Sequence, residues 1–542
     1  MNFLRRASYT RRVRWLIVLL LLFSTVQAQG DAEDLIGRLL LLAFEGDETP
    51  VDRLELSPAG FIFYPSNVTS TEQVRGLTQT LQTASDYPLL FGIDQEGGPF
   101  TSYRVDNATL FPGQMALAAA GDTDLAYRIA KATGEELSFA GFNLVFGPVA
   151  DVYSNPDNPV IGVRSFGAEP EKVSAFATAY MKGLLEANVI SVAKHFPGHG
   201  DTDTDTHLAL AQITKSKEEL EEVDLVPFQT LIDADIPAIM TAHIIFSDLD
   251  PAAPATLSSL VLTGLLREQL GFEGLIITDY MDMKAITDSY GAGEAAVLSV
   301  LAGSDLVIVG AGPTVQQEVY TALLDAHRSG RLPEARVREA VTRSQALAEQ
   351  FTPQWDQGEP DYATNKALAK EVATKGTTLL INDGVLPLNL QAEVLVVAPQ
   401  PDTYGQAPHL GSVLKRHREG ISSALVSENP TPAEVQEVLI KAETADVVIL
   451  GTHHWLGEFS ESVSALAVGL EQLNKPLVIV ALGNPDDLRF LNLQPSAYLA
   501  SYGYREANLE GIAAVLLGEV EPTGKLPVPV ETFPVGYGLS SF

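Results

Sequence analysis

The chain has 542 residues, which is more than one hydrophobic core usually holds. Its composition, 46% hydrophobic and 19% charged residues, is ordinary for a globular protein. Its formal net charge of −34 argues against nucleic acid or an anionic membrane surface as a partner and favours a neutral or cationic ligand. It contains no cysteine, which excludes disulfides, thiolate catalysis and zinc–thiolate sites. We therefore expect two domains that are stabilised by their hydrophobic cores alone.

The N-terminus has the pattern of a secretory signal peptide over residues 1–28. Five arginines precede an apolar stretch from Trp15 to Phe23, and Val26-Gln27-Ala28 resembles a small-residue cleavage site. The apolar stretch is shorter than the roughly 20 residues that span a bilayer, so no stable membrane anchor is expected after cleavage. The sequence predicts a secreted or extracytoplasmic protein of the cell envelope.

Residues 31–350 repeat a short apolar run followed by a helical segment such as 124–138 or 217–234. The predicted strands are 61–63, 89–93, 144–146, 190–193, 238–240, 275–277 and 306–309. Polar candidates for a site follow four of them: Asp94, Lys194 with His195, His243, and Asp279. A (β/α)8 barrel gathers strand ends in one pocket, whereas an open doubly wound sheet spreads them along a crevice. We predict an α/β fold whose catalytic domain is an N-terminal (β/α)8 TIM-type barrel.

The densest group of chemically active residues runs from Lys194 to His207. It reads Lys-His-Phe-Pro-Gly-His-Gly over 194–200, followed by Asp205-Thr206-His207. Imidazole has an unperturbed pKa near neutrality, and an aspartate two residues before a histidine can orient the ring for proton transfer. Asp205 and His207 are therefore the candidate catalytic dyad.

Two metal sites are alternative explanations of the same segment. Aspartates at 201, 203 and 205 have the spacing of an EF-hand calcium loop, but Thr206 and Gln212 stand where that loop needs glycine and glutamate. A zinc site formed by His195, His199 and His207 would lack both a His-Glu-x-x-His helix and a cysteine. We therefore expect no metal at this site.

Asp279 follows the apolar run 275–277 and is the candidate nucleophile. Retaining glycoside hydrolysis needs such a carboxylate together with a second group that protonates the leaving oxygen and then activates water. His207, oriented by Asp205, can supply the second function. An N-cap role for Asp279 is the structural alternative. Asp282 is the competing carboxylate, but we expect it to lie in the following helix.

The composition changes after residue 350. Pro353, Gly358 and Pro360 lie in a polar stretch, 351–361, that has the character of a linker. Apolar strands at 394–398, 447–451 and 477–481 then alternate with helices such as 432–444. This alternation predicts a smaller, open α/β sandwich domain over residues 362–542. We expect the pair His453-His454 to lie at its surface.

These motifs resemble glycoside hydrolase family 3, and specifically its bacterial β-N-acetylglucosaminidase branch. Residues 194–207 fit the branch's Lys-His-Phe-Pro-Gly-His-Gly motif and the Asp-Ser/Thr-His that follows it. Residues 94–98, 161–167 and 278–283 resemble three further segments of that branch. In the second domain, 378–388 and 524–527 are also similar to the family. The resemblance covers nearly the whole chain after the signal peptide.

The resemblance implies a role for each matching position. Asp279 would be the nucleophile, the Asp205-His207 dyad the acid/base, and the ligands of the sugar hydroxyls would be Asp94, Arg164, Lys194 and His195. Many family members take an acidic acid/base from the second domain. The intact dyad makes that contribution redundant here, so residues 362–542 are expected to be structural or accessory.

The sequence departs from the family pattern at one substrate-binding position. The family usually has an arginine eight residues after the aspartate that matches Asp94, and this chain has Ser102 there. Arg104 is the candidate to replace that arginine. His243, at the end of its own predicted strand, is a further candidate substrate ligand.

The predicted function is that of a retaining exo-β-N-acetylhexosaminidase that releases terminal β-linked N-acetylglucosamine from peptidoglycan fragments or chitooligosaccharides, without a cofactor. A phosphorylase on the same scaffold is an alternative, because a histidine acid/base repels phosphate less than a carboxylate would. A β-glucosidase-like family 3 enzyme and a catalytically silent sugar-binding protein are further alternatives. The filled catalytic positions disfavour the silent protein. The expected partner is a carbohydrate and not a nucleic acid.

Overall fold

The computed structural model describes residues 32–206, 208–399, 408–454 and 459–542. The predicted signal peptide, 1–28, and the predicted acid/base His207 lie outside the described residues. The described part contains a closed barrel followed by a separate six-stranded sheet. Within it, no helix combines the length and the apolar character that crossing a membrane requires.

Eight parallel strands close the barrel, and each pairs with its neighbours in chain order. The strands are β1 (Leu40–Ala43), β2 (Gly60–Phe63), β3 (Leu90–Ile93), β4 (Leu144–Val145), β5 (Ile190–Phe196), β6 (Ala238–Thr241), β7 (Leu275–Tyr280) and β8 (Leu306–Val309). The predicted barrel is confirmed. The sequence analysis did not predict β1, a short strand of four buried residues.

Alternate residues of the strands fill the barrel or face the surrounding helices. Leu41, Ile62, Leu90 and Ile308 belong to the cluster inside the barrel, while residues such as Phe61 pack in the larger layer under the helices. The helices and helical turns of the barrel are Ala32–Gly37, Val51–Leu56, Pro65–Asn67, Thr71–Ala84, Gln114–Ala120, Thr123–Ala140, Gly162–Arg164, Pro170–Glu186, Lys217–Glu222, Leu225–Asp233, Ala255–Leu257, Leu260–Gln269, Lys284–Tyr290, Ala292–Ala302, Pro313–Arg328 and Glu334–Gln350. The helix predicted over 217–234 is two helices, separated at Val223 and Asp224.

Two small sheets extend the C-terminal face of the barrel. Gln95–Gly97 and Phe100–Thr101 form an antiparallel pair directly after β3. Ala211–Ile213 and Ile244–Phe246 form a parallel pair beyond β5 and β6. These additions build up the rim of the barrel on the side where the strand ends converge.

The second unit is an open sheet with helices on its faces. Its strands are β9 (Thr378–Asn382), β10 (Val394–Pro399), β11 (Ile421–Val426), β12 (Val447–Thr452), β13 (Leu477–Ala481) and β14 (Ala497–Ala500), in the spatial order β9-β14-β13-β12-β10-β11. Only the β9–β14 pair is antiparallel. The helices are Leu410–His417, Pro432–Ala442, Glu461–Glu471, Leu488–Leu491 and Glu506–Leu516. The predicted smaller α/β fold is confirmed.

The two units are packed together through a helix and a shared apolar cluster. Residues 351–361 form no helix or strand, and Trp355 within them donates from Nε1 to Thr78 Oγ1 of the barrel at 3.2 Å. The helix Tyr362–Gly376 that follows buries Leu368 and Val372 in the hydrophobic layer of the barrel. A separate cluster joins barrel residues to the second sheet; it includes Met115, Tyr153, Ile161, Val163, Ala500, Tyr502 and Val528.

Candidate active site

A pocket of about 520 Å³ opens at the C-terminal face of the barrel. Six predicted site residues line it: Asp94, Arg104, Arg164, Lys194, His195 and Asp279. The described residues that line the pocket all lie between Ile62 and Ile308, and thus within the barrel. Asp94, Lys194, His195 and Asp279 end or follow barrel strands, and their convergence is what the predicted barrel requires.

Asp279 lies near the end of β7, and its carboxylate is ionised. Its Oδ1 accepts a hydrogen bond from the backbone N–H of Tyr280 at 2.7 Å. Burial by itself would raise the pKa of Asp279, but His243, His195 and this N–H lower it to about 2. At neutral pH the pocket therefore contains a fixed negative charge, as a carboxylate nucleophile requires.

A buried ionic network forms a second part of the pocket wall. Lys194 Nζ lies 2.6 Å from Asp94 Oδ1 and 2.7 Å from Glu96 Oε1. Arg164 donates to both oxygens of Glu96, from Nε at 2.9 Å and from Nη2 at 2.8 Å. The side chain of Asp94 is 31% exposed whereas that of Glu96 is 2% exposed, so Asp94 presents a carboxylate to the pocket and Glu96 anchors the two cations.

Electrostatics keep the members of this network charged. Burial would raise the pKa of Glu96, but Arg164 and Lys194 lower it to about 2. Burial would lower the pKa of Lys194, but Asp94 and Glu96 raise it. Charged donors and acceptors on one wall can make charge-assisted hydrogen bonds to neighbouring sugar hydroxyls.

Asp151 orients His195 and was not identified from the sequence. Its Oδ2 lies 2.7 Å from His195 Nδ1, and its Oδ1 accepts hydrogen bonds from the backbone N–H groups of His195 and His199 at 3.1 and 2.7 Å. Burial opposes the charge on Asp151, yet His195 lowers the pKa of the carboxyl. The Nε2 edge of His195 is left facing Arg164 Nη2 at 3.4 Å. The only sequence signal for Asp151 was its place after the apolar run of β4.

His199 is a further pocket residue, which the sequence analysis named only as part of an alternative zinc site. Burial, together with the neighbouring His195, lowers the pKa of His199 to about 4, so its imidazole is neutral at neutral pH. Its Nε2 lies 3.1 Å from Thr206 Oγ1. Its Nδ1 has no hydrogen-bond partner among the described residues.

The loop that carries the predicted dyad reaches the pocket through Thr206. Asp205, the first member of the dyad, is half-buried, and its carbonyl oxygen accepts from the N–H groups of Leu208 and Ala209 at 3.0 Å each. His207 lies outside the described residues. The loop is closely packed at its base, because a Cβ at Gly200 would stand 1.7 Å from the carbonyl oxygen of Val152.

The candidate substrate ligands Arg104 and His243 differ in position. Arg104 lines the pocket, as does Ser102, and its Nε donates to the carbonyl oxygen of Thr101. His243 does not belong to the pocket lining and is 1% exposed. It lies 2.8 Å from Thr256 Oγ1 through Nδ1 and 3.1 Å from the carbonyl oxygen of Tyr280 through Nε2. Its direct effect in this structure is on the pKa of Asp279.

The rest of the pocket is aromatic or apolar. Tyr64 and Tyr280 line it and meet edge to face with ring centroids 6.1 Å apart. The apolar lining residues include Ile62, Met240, Met283 and Ile308. A ligand with hydroxyl groups on one side and an apolar group on another would match both kinds of wall.

Comparison with known families identifies the chain. Residues 33–347 match the glycosyl hydrolase family 3 N-terminal domain, and residues 377–535 match the family 3 C-terminal domain. The chain belongs to glycoside hydrolase family 3. The predicted family is thus confirmed, and with it the prediction of a glycoside hydrolase.

Several relatives of this family 3 chain are named as hexosaminidases or as a β-N-acetylglucosaminidase. A beta-hexosaminidase A from Pseudoalteromonas piscicida is 31% identical over 87% of this chain and 89% of the relative. A beta-hexosaminidase from Nitrosomonas eutropha is 34% identical over 56% of this chain and 90% of its own length. A solved family 3 beta-N-acetylglucosaminidase from Paenibacillus is 33% identical, with a TM-score of 0.88 over 94% of this chain and 100% of the other.

Proposed function

We propose that this family 3 enzyme is a retaining exo-β-N-acetylhexosaminidase that removes terminal β-linked N-acetylglucosamine from peptidoglycan fragments or chitooligosaccharides. The observation that carries the proposal is the ionised carboxylate of Asp279 in a pocket lined by both charged and apolar side chains. The names of the relatives support the sugar. The Paenibacillus enzyme matches 94% of this chain and is matched over its whole length, so the likeness covers both domains.

The proposed reaction has two displacements at the anomeric carbon. In the first, Asp279 attacks and the leaving oxygen takes a proton from His207, whose ring Asp205 orients. In the second, His207 removes a proton from water, which attacks the glycosyl-enzyme and releases the sugar with retained configuration. The dyad rests on the sequence motif, since His207 lies outside the described residues.

In this proposal, different lining residues contact different parts of the sugar. Asp94, Lys194, Arg164 and His195 bind ring hydroxyls, because their donors and acceptors are charged or fixed by buried partners. The apolar side chains of the lining, such as Met240 and Ile308, contact the acetyl methyl group. Arg104 adds a further positive charge to the polar part of the lining.

A phosphorylase is the second candidate. A solved structure described as beta-glucoside phosphorylase BglX is 25% identical, with a TM-score of 0.82 over 94% of this chain and 95% of the other. In such an enzyme phosphate would replace water in the second displacement. Assaying the product in phosphate buffer separates the two, since hydrolysis gives free N-acetylglucosamine and phosphorolysis gives the sugar 1-phosphate.

We also propose an extracytoplasmic location. The arginine-rich start, the short apolar stretch and the small-residue cleavage site over 1–28 support it. Mass spectrometry of the protein from its native host should find the mature chain beginning at Gln29. A chain that keeps its initial residues in the cytoplasmic fraction would refute the location.

Replacement of the nucleophile tests the proposed function. Asp279→Ala should lower kcat on an aryl N-acetyl-β-glucosaminide by about 10⁴-fold or more, because the variant has no carboxylate to form the covalent glycosyl-enzyme. Asp282→Asn is the matched control, because Asp282 is three residues away, only half-buried and not part of the pocket lining. Activity of Asp279→Ala within tenfold of the wild type would place the nucleophile elsewhere.

A further inference from the structure

A second group of ionisable side chains lies in the C-terminal sheet, far along the chain from the barrel motifs. His454 follows β12, and Asp486 and Asp487 follow β13, the adjacent parallel strand. One ligand atom of each of these three residues lies within 4.8 Å of the other two. The carboxyl ends of neighbouring parallel strands are where open α/β sheets bind ligands.

The two aspartates are buried and His454 is mostly buried, contrary to the surface position expected for His453-His454. The side chain of His454 is 10% exposed and that of Asp487 is fully buried. Asp486 is 6% exposed. His454 is enclosed by the rings of Phe459 and Phe490, whose centroids lie 5.8 and 5.4 Å from its own.

Each of the two carboxylates uses one oxygen in the fold and keeps the other without a hydrogen bond. Asp487 Oδ2 accepts from Thr452 Oγ1 at 2.5 Å, and Asp486 Oδ2 contacts Arg489 Nη1 at 3.3 Å. Neither Oδ1 atom has a hydrogen-bond partner among the residues that the structure describes. A buried carboxylate oxygen without a donor is costly, so these two atoms indicate a missing positive partner.

The imidazole of His454 does not by itself provide that partner. Its Nδ1 lies 3.5 Å from Asp487 Oδ1, which is too long for a hydrogen bond of normal strength. The separation does match two ligands of one metal ion, because donors bound at about 2.1 Å in tetrahedral geometry are about 3.4 Å apart. One imidazole nitrogen with two carboxylates is a donor set typical of zinc or manganese, whereas calcium prefers oxygen ligands alone.

We propose that His454, Asp486 and Asp487 form a binding site for one divalent transition-metal ion of the Zn²⁺ type. The ion binds Nδ1 of the histidine and Oδ1 of each aspartate, and a small rotation of Asp486 brings its oxygen to bonding distance. Water completes the coordination. The site is separate from the sugar pocket, whose described lining contains none of these residues.

The position of the site gives the ion a structural role between the two domains. The backbone N–H of Asn484 donates to the carbonyl oxygen of His454 at 2.6 Å, and Asn484 Oδ1 accepts from the N–H of Val163 at 3.0 Å. Val163 immediately precedes Arg164 of the sugar pocket. Arg489, the partner of Asp486, also donates to the carbonyl oxygen of Pro156 at 3.3 Å. An ion that fixes residues 484–489 therefore stabilises the barrel loop that carries Arg164.

Zinc titration of the full-length chain tests the site. After treatment with a chelator and dialysis, calorimetric titration with Zn²⁺ should give one ion per chain, and bound Zn²⁺ should raise the Tm. Asp487→Asn should weaken binding at least tenfold and abolish the Tm shift, since it replaces an anionic ligand with a neutral amide of the same shape. His454→Gln should do the same, and serves in its place if Asp487→Asn does not fold.

Glu428→Gln is the matched control. Glu428 Oε1 lies 3.4 Å from Nδ1 of the neighbouring His453, so this variant removes one negative charge beside the cluster and none of the proposed ligands. It should bind Zn²⁺ as the wild type does. The absence of binding to the wild type would overturn the proposal. Equal affinity and stoichiometry in the wild type and the folded ligand variants would also overturn it, because the ion would then bind elsewhere.

Discussion

Glu96 is a single buried carboxylate that neutralises two cations of the sugar pocket. It binds Arg164 through both oxygens and Lys194 through one of them, while Asp94 reaches only Lys194. Arg164 and Lys194 therefore depend on Glu96 for both charge balance and position. The removal of one partner from such a network leaves an uncompensated buried charge.

Glu96→Gln should therefore cost stability as well as activity. We expect the free energy of unfolding to fall by about 3–5 kcal/mol, as when one member of a buried ion pair is removed, and the KM for an aryl N-acetyl-β-glucosaminide to rise at least tenfold. Urea denaturation and steady-state kinetics measure the two effects. Glu135→Gln, at an exposed position of the helix Thr123–Ala140, is the control and should match the wild type. A stable and fully active Glu96→Gln would contradict the anchoring role.

The sequence analysis identified individual site residues by their place at strand ends and by family motifs. Asp94, Lys194, His195 and Asp279 were found in this way and do meet in one pocket. Glu96 was missed although it lies in the same motif as Asp94, because the spacing of two carboxylates does not reveal which one turns inward. Asp151 was missed because its hydrogen bonds join it to residues more than 40 positions along the chain.

The loop from Gly198 to Thr206 depends on a helix break that the sequence did not reveal. Asp224 lies between the helices Lys217–Glu222 and Leu225–Asp233, and a Cβ added at Gly198 would meet the Asp224 Cβ at 2.8 Å. Its Oδ2 accepts from Lys215 Nζ at 2.9 Å. The apolar periodicity of 217–234 predicted one helix because it carries no information about a buried aspartate in the middle.

Asp224 should make stability depend on pH with an unusual sign. Burial raises the pKa of Asp224 to about 6 from its ordinary 3.8, and Lys215 offsets only part of the rise. The folded state thus holds a proton that the unfolded state releases between pH 4 and 6, so this group's contribution to stability is lost as pH rises through that window. A shift of this size corresponds to about 3 kcal/mol.

Asp224→Asn removes this dependence and tests it. Relative to the wild type, the variant should gain up to about 3 kcal/mol in the free energy of unfolding between pH 4 and pH 7. Urea denaturation of both proteins at the two pH values gives the comparison. A difference between variant and wild type that stays constant over this range would show that Asp224 titrates normally.

On the scale of the whole molecule, the second domain supports the sugar pocket, and none of its described residues lines that pocket. Asn484 Oδ1 accepts from the backbone N–H of Val163, next to Arg164, and the space above Gly162 is filled by the same side chain. The sequence predicted two domains and their fold classes from the spacing of apolar runs. It did not predict their docking, because contacts between residues about 320 positions apart leave no local pattern.

Asn484→Ala should weaken substrate binding from outside the pocket. The Val163 N–H would lose its acceptor, at a cost of about 1–3 kcal/mol for a buried donor, and the loop that presents Arg164 would loosen. We expect the KM to rise several-fold with a smaller change in kcat, together with a lower Tm. Gln391→Ala, at an exposed site of the same domain, is the control. An unchanged KM would mean that the second domain does not position the pocket.

Trapping of the covalent intermediate tests the central claim most directly. A fluorinated N-acetylglucosaminyl substrate with a good leaving group forms the glycosyl-enzyme faster than water can release it, so the intermediate accumulates. Peptide mass spectrometry of the trapped wild-type enzyme should find one sugar per chain, attached to Asp279. A label on Asp282 or on any other residue, or turnover with inverted configuration and no label, would contradict the account.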